Sequence, residues 1–194
     1  TFPLLLLYLI FNHPKGKWTC FKIGWMFGFG YFISNLYWIT NSLTFEEIFK
    51  PLIPFALILI PLFLGLFYGI ATLACSLFNL KKNFSSILIF STFFSLIEFA
   101  RSFIFGGFPW NLIAYTWTDY LQFLQILSLT GTYSFNLLCI TFFLTPAIIF
   151  FKYRQKTKLY FLTFATIILL INFFYGTVAI KNNEKIDETN LNFI

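Results

Sequence analysis

Apart from Glu98 and Arg101, the charges of this 194-residue chain fall in short gaps between long apolar runs, and the net sign of the gaps alternates. Lys15, Lys17 and Lys22 fall in the gap at 12–22, and Glu46, Glu47 and Lys50 in the gap at 40–50. Lys81 and Lys82 form the third gap, and Asp119 stands alone in the fourth. Lys152, Arg154, Lys156 and Lys158 make the fifth, and Lys181, Glu184, Lys185, Asp187 and Glu188 the tail. Successive gaps therefore carry +3, −1, +2, −1, +4 and −1. Loops of a polytopic membrane protein alternate in this way because Lys and Arg are retained on the cytoplasmic side. The pattern predicts that loops 12–22, 81–82 and 152–158 are cytoplasmic, and that the other gaps and the C-terminal tail face outward.

Hydrophobic residues make up 59% of the chain, against about 45–50% in soluble domains. The mean hydropathy is +0.80, so the bilayer is the expected solvent. The basic balance does not point to nucleic acid, because the cations sit at segment ends and no basic face is left over. Phe contributes 31 residues and Gly 10, a bias read here as codon drift in an AT-rich genome. Cys20, Cys75 and Cys139 are far apart with no CxxC spacing, which fits buried apolar thiols and neither a disulfide framework nor a metal site. The only histidine, His13, falls in a cytoplasmic gap, so no Ser/His or Cys/His arrangement can form, and no metal or cofactor is expected.

The expected architecture is an all-α polytopic transmembrane bundle of five full spans plus a partial N-terminal one. Pro3–Phe11 is an apolar run of about half the 20 residues that a span needs, and it follows Thr1 with no signal-peptide features. Full spans are expected at 23–39, 52–79, 84–105, 120–151 and 159–180. Pro51, Pro54 and Pro61 in the second predict tilt or a kink, and Gly106-Gly107 predicts the stop of the third. The fourth is overlong, and Ser128, Thr130, Gly131, Thr132 and Ser134 suggest an interfacial stretch leading into the span. Uniform apolarity excludes an outer-membrane barrel, whose strands alternate. The transmembrane domain is assigned to 1–180, and 181–194 to a polar linker, with Leu191 and Phe193 as the possible start of a strand. Both ends look cut.

Within the spans the only charges are Glu98 and Arg101, three apart and so on one helix face. Charges at membrane depth point to a functional site; the first reading of the pair is nonetheless structural or positioning, an ion pair with Arg101 snorkelling to the outer interface, and direct contact with a substrate headgroup is the second. Gly107, Phe108, Pro109, Trp110, Tyr115, Trp117 and Tyr120 follow on the outer side. They read either as an aromatic belt or as a re-entrant loop near a lipid-entry site. Gly24-xxx-Gly28 permits close helix contact, and Asn35 suits either an interhelical hydrogen bond or a site role.

Gly24-Trp25-Met26-Phe27-Gly28-Phe29-Gly30-Tyr31-Phe32 with Trp38, then Glu98-Phe99-Ala100-Arg101 with Gly107-Phe108-Pro109-Trp110 and Tyr115, and then Leu124 to Asn136 resemble the membrane domain of the apolipoprotein N-acyltransferases. That resemblance implies the bacterial inner membrane and a reaction in which a phospholipid donates an acyl chain to the α-amino group of a diacylglyceryl apolipoprotein. It implies a periplasmic nitrilase-like domain in which a Glu–Lys–Cys triad forms a thioester. None of that triad is expected in these residues, so this chain alone is expected to be inactive. The residues expected to shape a lipid-facing mouth are Glu98, Arg101, Phe108, Pro109, Trp110 and Tyr115. A small transporter or channel component would instead show polar lining on several spans or internal repeats. The product of a degraded gene is the other alternative.

Overall fold

The computed structural model describes residues 2–12, 16–78, 80–104 and 107–190, with side chains to residue 183. His13, Lys15, Gly106 and the expected strand start at Leu191 and Phe193 lie outside the described residues. Two compact units divide the chain, Thr1–Asn111 and Leu112–Ile194. All regular structure among the described residues is helical.

The first unit contains α1 (Phe2–Asn12), α2 (Lys17–Leu36), 3-10 stretches at Tyr37–Thr44 and Glu47–Leu52, α3 (Ile53–Ser76) and α4 (Phe84–Arg101). Helices α2 and α3 touch backbone to backbone, because glycines meet across the seam. A Cβ on Gly28 would lie 2.9 Å from the Gly65 Cα, and one on Gly65 would lie 2.9 Å from the Trp25 carbonyl oxygen. Gly24-xxx-Gly28 is thus answered by Gly65-xxx-Gly69, the small-residue contact on which helices associate in lipid. Polar bonds lock the seam: the Thr72 hydroxyl donates to the Cys20 carbonyl at 2.8 Å, and Trp25 Nε1 donates to the Leu62 carbonyl at 2.9 Å. Asn35, left open between an interhelical bond and a site role, makes a bond within its own helix. Its amide donates to the Tyr31 carbonyl one turn back at 2.8 Å, an acceptor that a short amide side chain reaches within its own helix.

The start of α4 is set by Asn83, whose side-chain oxygen accepts from the Ser86 amide at 3.0 Å, satisfying a donor that helix geometry leaves free. Its buried residues, Ile87, Phe90, Ser91, Phe94, Ser95, Glu98 and Arg101, recur at three and four and make one stripe. The helix ends at Arg101, four residues before the expected limit, and Gly107 takes a φ of +82° where the chain turns back.

The second unit contains a 3-10 turn at Ile113–Trp117, short helices α5 (Leu121–Leu124) and α6 (Leu127–Thr130), α7 (Thr132–Leu144) continued by a 3-10 stretch at Thr145–Phe150, and α8 (Gln155–Asn190). The overlong run at 120–151 divides at Gly131, where φ is +75°. The Asn136 side-chain oxygen accepts from the Ala114 amide at 3.0 Å, both groups being buried. Asn136→Leu strands that amide, and a loss of about 1–3 kcal/mol is expected, read as a lower melting temperature. Asn172 and Phe173 of α8 pack on α5, the Asn172 amide donating to the Phe123 carbonyl at 3.3 Å, with the Phe123 and Phe173 rings 5.4 Å apart. The expected linker at 181–190 is helical and continues α8.

Among the described residues, four segments are long and apolar enough to cross a membrane: Glu47–Ser76, Phe84–Arg101, Thr132–Phe150 and Gln155–Asn183. The expected span at 23–39 is not among them. Helix α2 has the length, about 30 Å for 20 residues, but Lys17, Lys22 and three glycines dilute its apolarity. Only 6% of the apolar stretch of α8 is buried, the least of the four.

Candidate functional site

The charged end of the α4 stripe lies in the first unit among aromatic rings. The Tyr68 ring of α3 lies tilted 4.5 Å from Phe94 and 5.1 Å from Phe32 of α2, and Tyr31 stacks 5.9 Å from Tyr68. The Tyr68 hydroxyl donates to Glu98 Oε1 at 3.3 Å. Glu98 in turn pairs with Arg101, Oε1 to Nη2 at 3.8 Å, and both side chains are wholly buried. Helical spacing brings the two charges to one face, and Tyr68 adds the hydrogen bond a buried carboxylate requires.

Arg101 does not snorkel, in contrast to the structural alternative weighed from the sequence. Its guanidinium carbon lies 5.2 Å from the centroid of Phe32 and 5.9 Å from that of Phe108, so two rings hold the cation inside. Phe108 reaches it because the chain reverses after α4. Its amide donates to the Arg101 carbonyl at 3.0 Å, and a Cβ at Gly107 would collide with the Ser102 carbonyl. The guanidinium nitrogens Nε, Nη1 and Nη2 have no hydrogen-bond partner. Arg101 also contributes to the lining of a cavity of about 380 Å³, with Ile39, Leu59, Phe63, Phe67 and Phe108, a size in the range of small-molecule sites, but its guanidinium is wholly buried and not open to that space.

Of the residues expected to form a mouth, Glu98, Arg101 and Phe108 come together. Trp110 lies against Trp38, with ring centroids 6.2 Å apart, and Pro109 stands between Phe108 and Trp110, exposed. Tyr115 belongs to the second unit, in the turn at Ile113–Trp117. Tyr68 was not foreseen; the signal was present, since it is the one tyrosine of the run 52–79. The loop is tied to α2 by the Tyr31 hydroxyl, which donates to the Asn111 carbonyl at 3.2 Å. Cys20, Cys75 and Cys139 are free thiols and buried. Among the described residues no His, Cys, Asp and Glu cluster could hold a metal ion.

Residues 1–145 match the sequence model described as the apolipoprotein N-acyltransferase N-terminal domain. The chain is 38% identical over 129 residues to the apolipoprotein N-acyltransferase of Brucella melitensis biotype 1, which covers 66% of this chain and 24% of that protein. Identity to the enzyme of Allorhizobium ampelinum is 35% over 157 residues, 77% of this chain and 30% of that one. Identity to the enzyme of Rickettsia typhi is 35% over 163 residues, 84% of this chain and 32% of that one. The chain thus spans about a quarter to a third of the length of the curated relatives it matches.

Proposed function

The chain belongs to the apolipoprotein N-acyltransferase family, and we propose that it acts as the membrane domain of such an enzyme, holding lipid substrates for chemistry carried out elsewhere. The observation that carries this reading is the match over residues 1–145 to the family's N-terminal domain. In this reading a phospholipid is the acyl donor, a diacylglyceryl apolipoprotein the acceptor, and the inner membrane the site, with residues 1–180 spanning it. Five spans and the partial α1 cross or enter the bilayer, α2 included. Loops 12–22, 81–82 and 152–158 are cytoplasmic and 181–194 lead outward toward a nitrilase-like domain. The alternating charge of the gaps supports that orientation. Glu98, Arg101, Phe108, Pro109, Trp110 and Tyr115 shape the lipid-facing mouth, a role supported by the buried pair and the cavity at Arg101.

Thioester formation needs an accessible thiolate, and all three cysteines are buried, so the nucleophile lies outside these residues. The 194-residue chain, purified with phospholipid and a diacylglyceryl peptide, is expected to give no N-acylated product by mass spectrometry. Fusion to the C-terminal remainder of the Rickettsia typhi relative is expected to give product. Acylation by the chain alone would overturn the reading.

A further inference from the structure

We infer that the loop joining the 3-10 stretch after α7 to α8 is a docking surface for anionic phospholipid headgroups of the leaflet that it faces. The inference rests on the membrane-domain reading only in placing that loop at a bilayer, and it involves no residue of the candidate site around Glu98.

The first observation is charge without a counterion in the protein. Lys152, Arg154, Lys156 and Lys158 stand at alternate positions, and no acidic residue occurs between Asp119 and Glu184. Among the described residues none of the four forms an ion pair. Lys152, Arg154 and Lys156 are exposed, while the Lys158 ammonium donates to the Ile149 carbonyl at 2.6 Å. The Lys158 amide also bonds to the Arg154 carbonyl at 3.1 Å, and like charges four apart repel. Lys156 and Lys158 fall in the first turn of α8, the end of a helix at which cations are disfavoured. The cluster thus costs stability unless a surface of opposite sign lies against it.

The second observation is how the loop presents these cations. Orientation in a membrane depends on the count of Lys and Arg in a gap, and does not require them to project together. Here Phe151 is buried and extended, and the Tyr153 ring lies 6.3 Å from Phe151 and 6.3 Å from Phe161. The rings hold the loop inward, and the cations between them are left outside.

The third is the level at which they stand. Thr132–Phe150 and Gln155–Asn183 are both long and apolar enough to cross a membrane, so the loop between them lies at one membrane face. On either side of it Ile149, Phe150, Leu159 and Tyr160 are exposed. Cations rising from such an apolar rim lay their stems along acyl chains and their heads among phosphates. A soluble polyanion would match the charge but leave the rim unused.

The test uses the intact chain in an uncharged detergent, with native mass spectrometry comparing phosphatidylglycerol and phosphatidylcholine of the same chains. Phosphatidylglycerol is expected to bind about tenfold more tightly, a gap that closes as ionic strength rises. K152Q with K156Q is expected to weaken it about fivefold for each charge removed, and K152R with K156R to keep it. K81Q with K82Q removes as much charge from another basic gap, where Lys82 already reaches Asn12 Oδ1 at 3.4 Å, and is expected to change little. Acetylation of the unaltered chain needs no variant: phosphatidylglycerol is expected to shield Lys152 and Lys156 more than Lys81 and Lys82. Equal binding of the two lipids, equal losses in the two Gln pairs, or equal shielding of the four lysines would each overturn the surface. Shielding by soluble polyphosphate as strong as that by phosphatidylglycerol would overturn the lipid assignment. Should the Gln pairs fail to fold, the acetylation result decides alone. Acyl transfer by the fusion described above is scored separately, so transfer without a lipid preference removes this surface and leaves the family role standing.

Discussion

Gly28→Ala is expected to destabilise the first unit by about 1–3 kcal/mol or more, the usual cost of forcing extra atoms into a close-packed contact. The same substitution two residues along, Gly30→Ala, is expected to stabilise it by about 0.5–1 kcal/mol. The difference lies in what a new methyl group meets. At Gly28 the Cβ would stand 2.9 Å from the Gly65 Cα and 3.1 Å from its carbonyl oxygen, whereas at Gly30 nothing lies within 4 Å. Backbone atoms cannot rotate aside, so α2 and α3 must separate, stretching the 2.8 Å bond from Thr72 to Cys20 and the 2.9 Å bond from Trp25 to Leu62. At Gly30 only the helix-propensity gain remains. Thermal unfolding of both variants in one detergent checks the pair. Equal shifts of the same sign would show that the helices are not in backbone contact.

Glu98→Ala carries the second large effect, about 3–5 kcal/mol, the range for leaving one member of a buried ion pair uncompensated. Arg101 would then be a wholly buried cation held by two rings alone, and the Tyr68 hydroxyl would lose the carboxylate that it reaches at 3.3 Å. Replacing both charges, Glu98→Leu with Arg101→Met, is expected to recover most of that loss, because the desolvation penalty vanishes with the charges. A double-mutant cycle by thermal or denaturant unfolding measures the coupling. Independent, additive effects would mean that the two side chains do not act as a pair.

The period of α4 was legible without coordinates. Ile87, Phe90, Phe94, Glu98 and Arg101 follow a spacing of three and four, and that spacing puts them on one stripe in the folded helix. Gly24-xxx-Gly28 was legible as a contact face and Gly106-Gly107 as a helix stop, whereas the break at Gly131 was read only as part of an interfacial stretch. The partner of the Gly24-xxx-Gly28 face was not legible, although Gly65-xxx-Gly69 stands in the same sequence, because spacing within one helix carries no information about which neighbour it meets. The run at 23–39 was read as a span on its aromatic content, but Lys17, Lys22 and three glycines lower the hydropathy of α2. For Asn35 two roles stood open, and the structure gives its amide a partner within its own helix.

By itself the sequence determined the all-helical membrane character and the face that each helix offers, since apolar periodicity, segment length and charge placement act over a few neighbouring residues. Only the tertiary structure decided the fate of Arg101. Phe32, Tyr68 and Phe108 are far from one another in the chain, and no spacing joins them. Their packing turns a side chain able to snorkel into a caged cation, whose nitrogens are left without hydrogen-bond partners. Whether a buried charge is paired, held or left wanting a partner depends on which side chains the fold brings within a few ångströms, and that is a property of the packed helices alone.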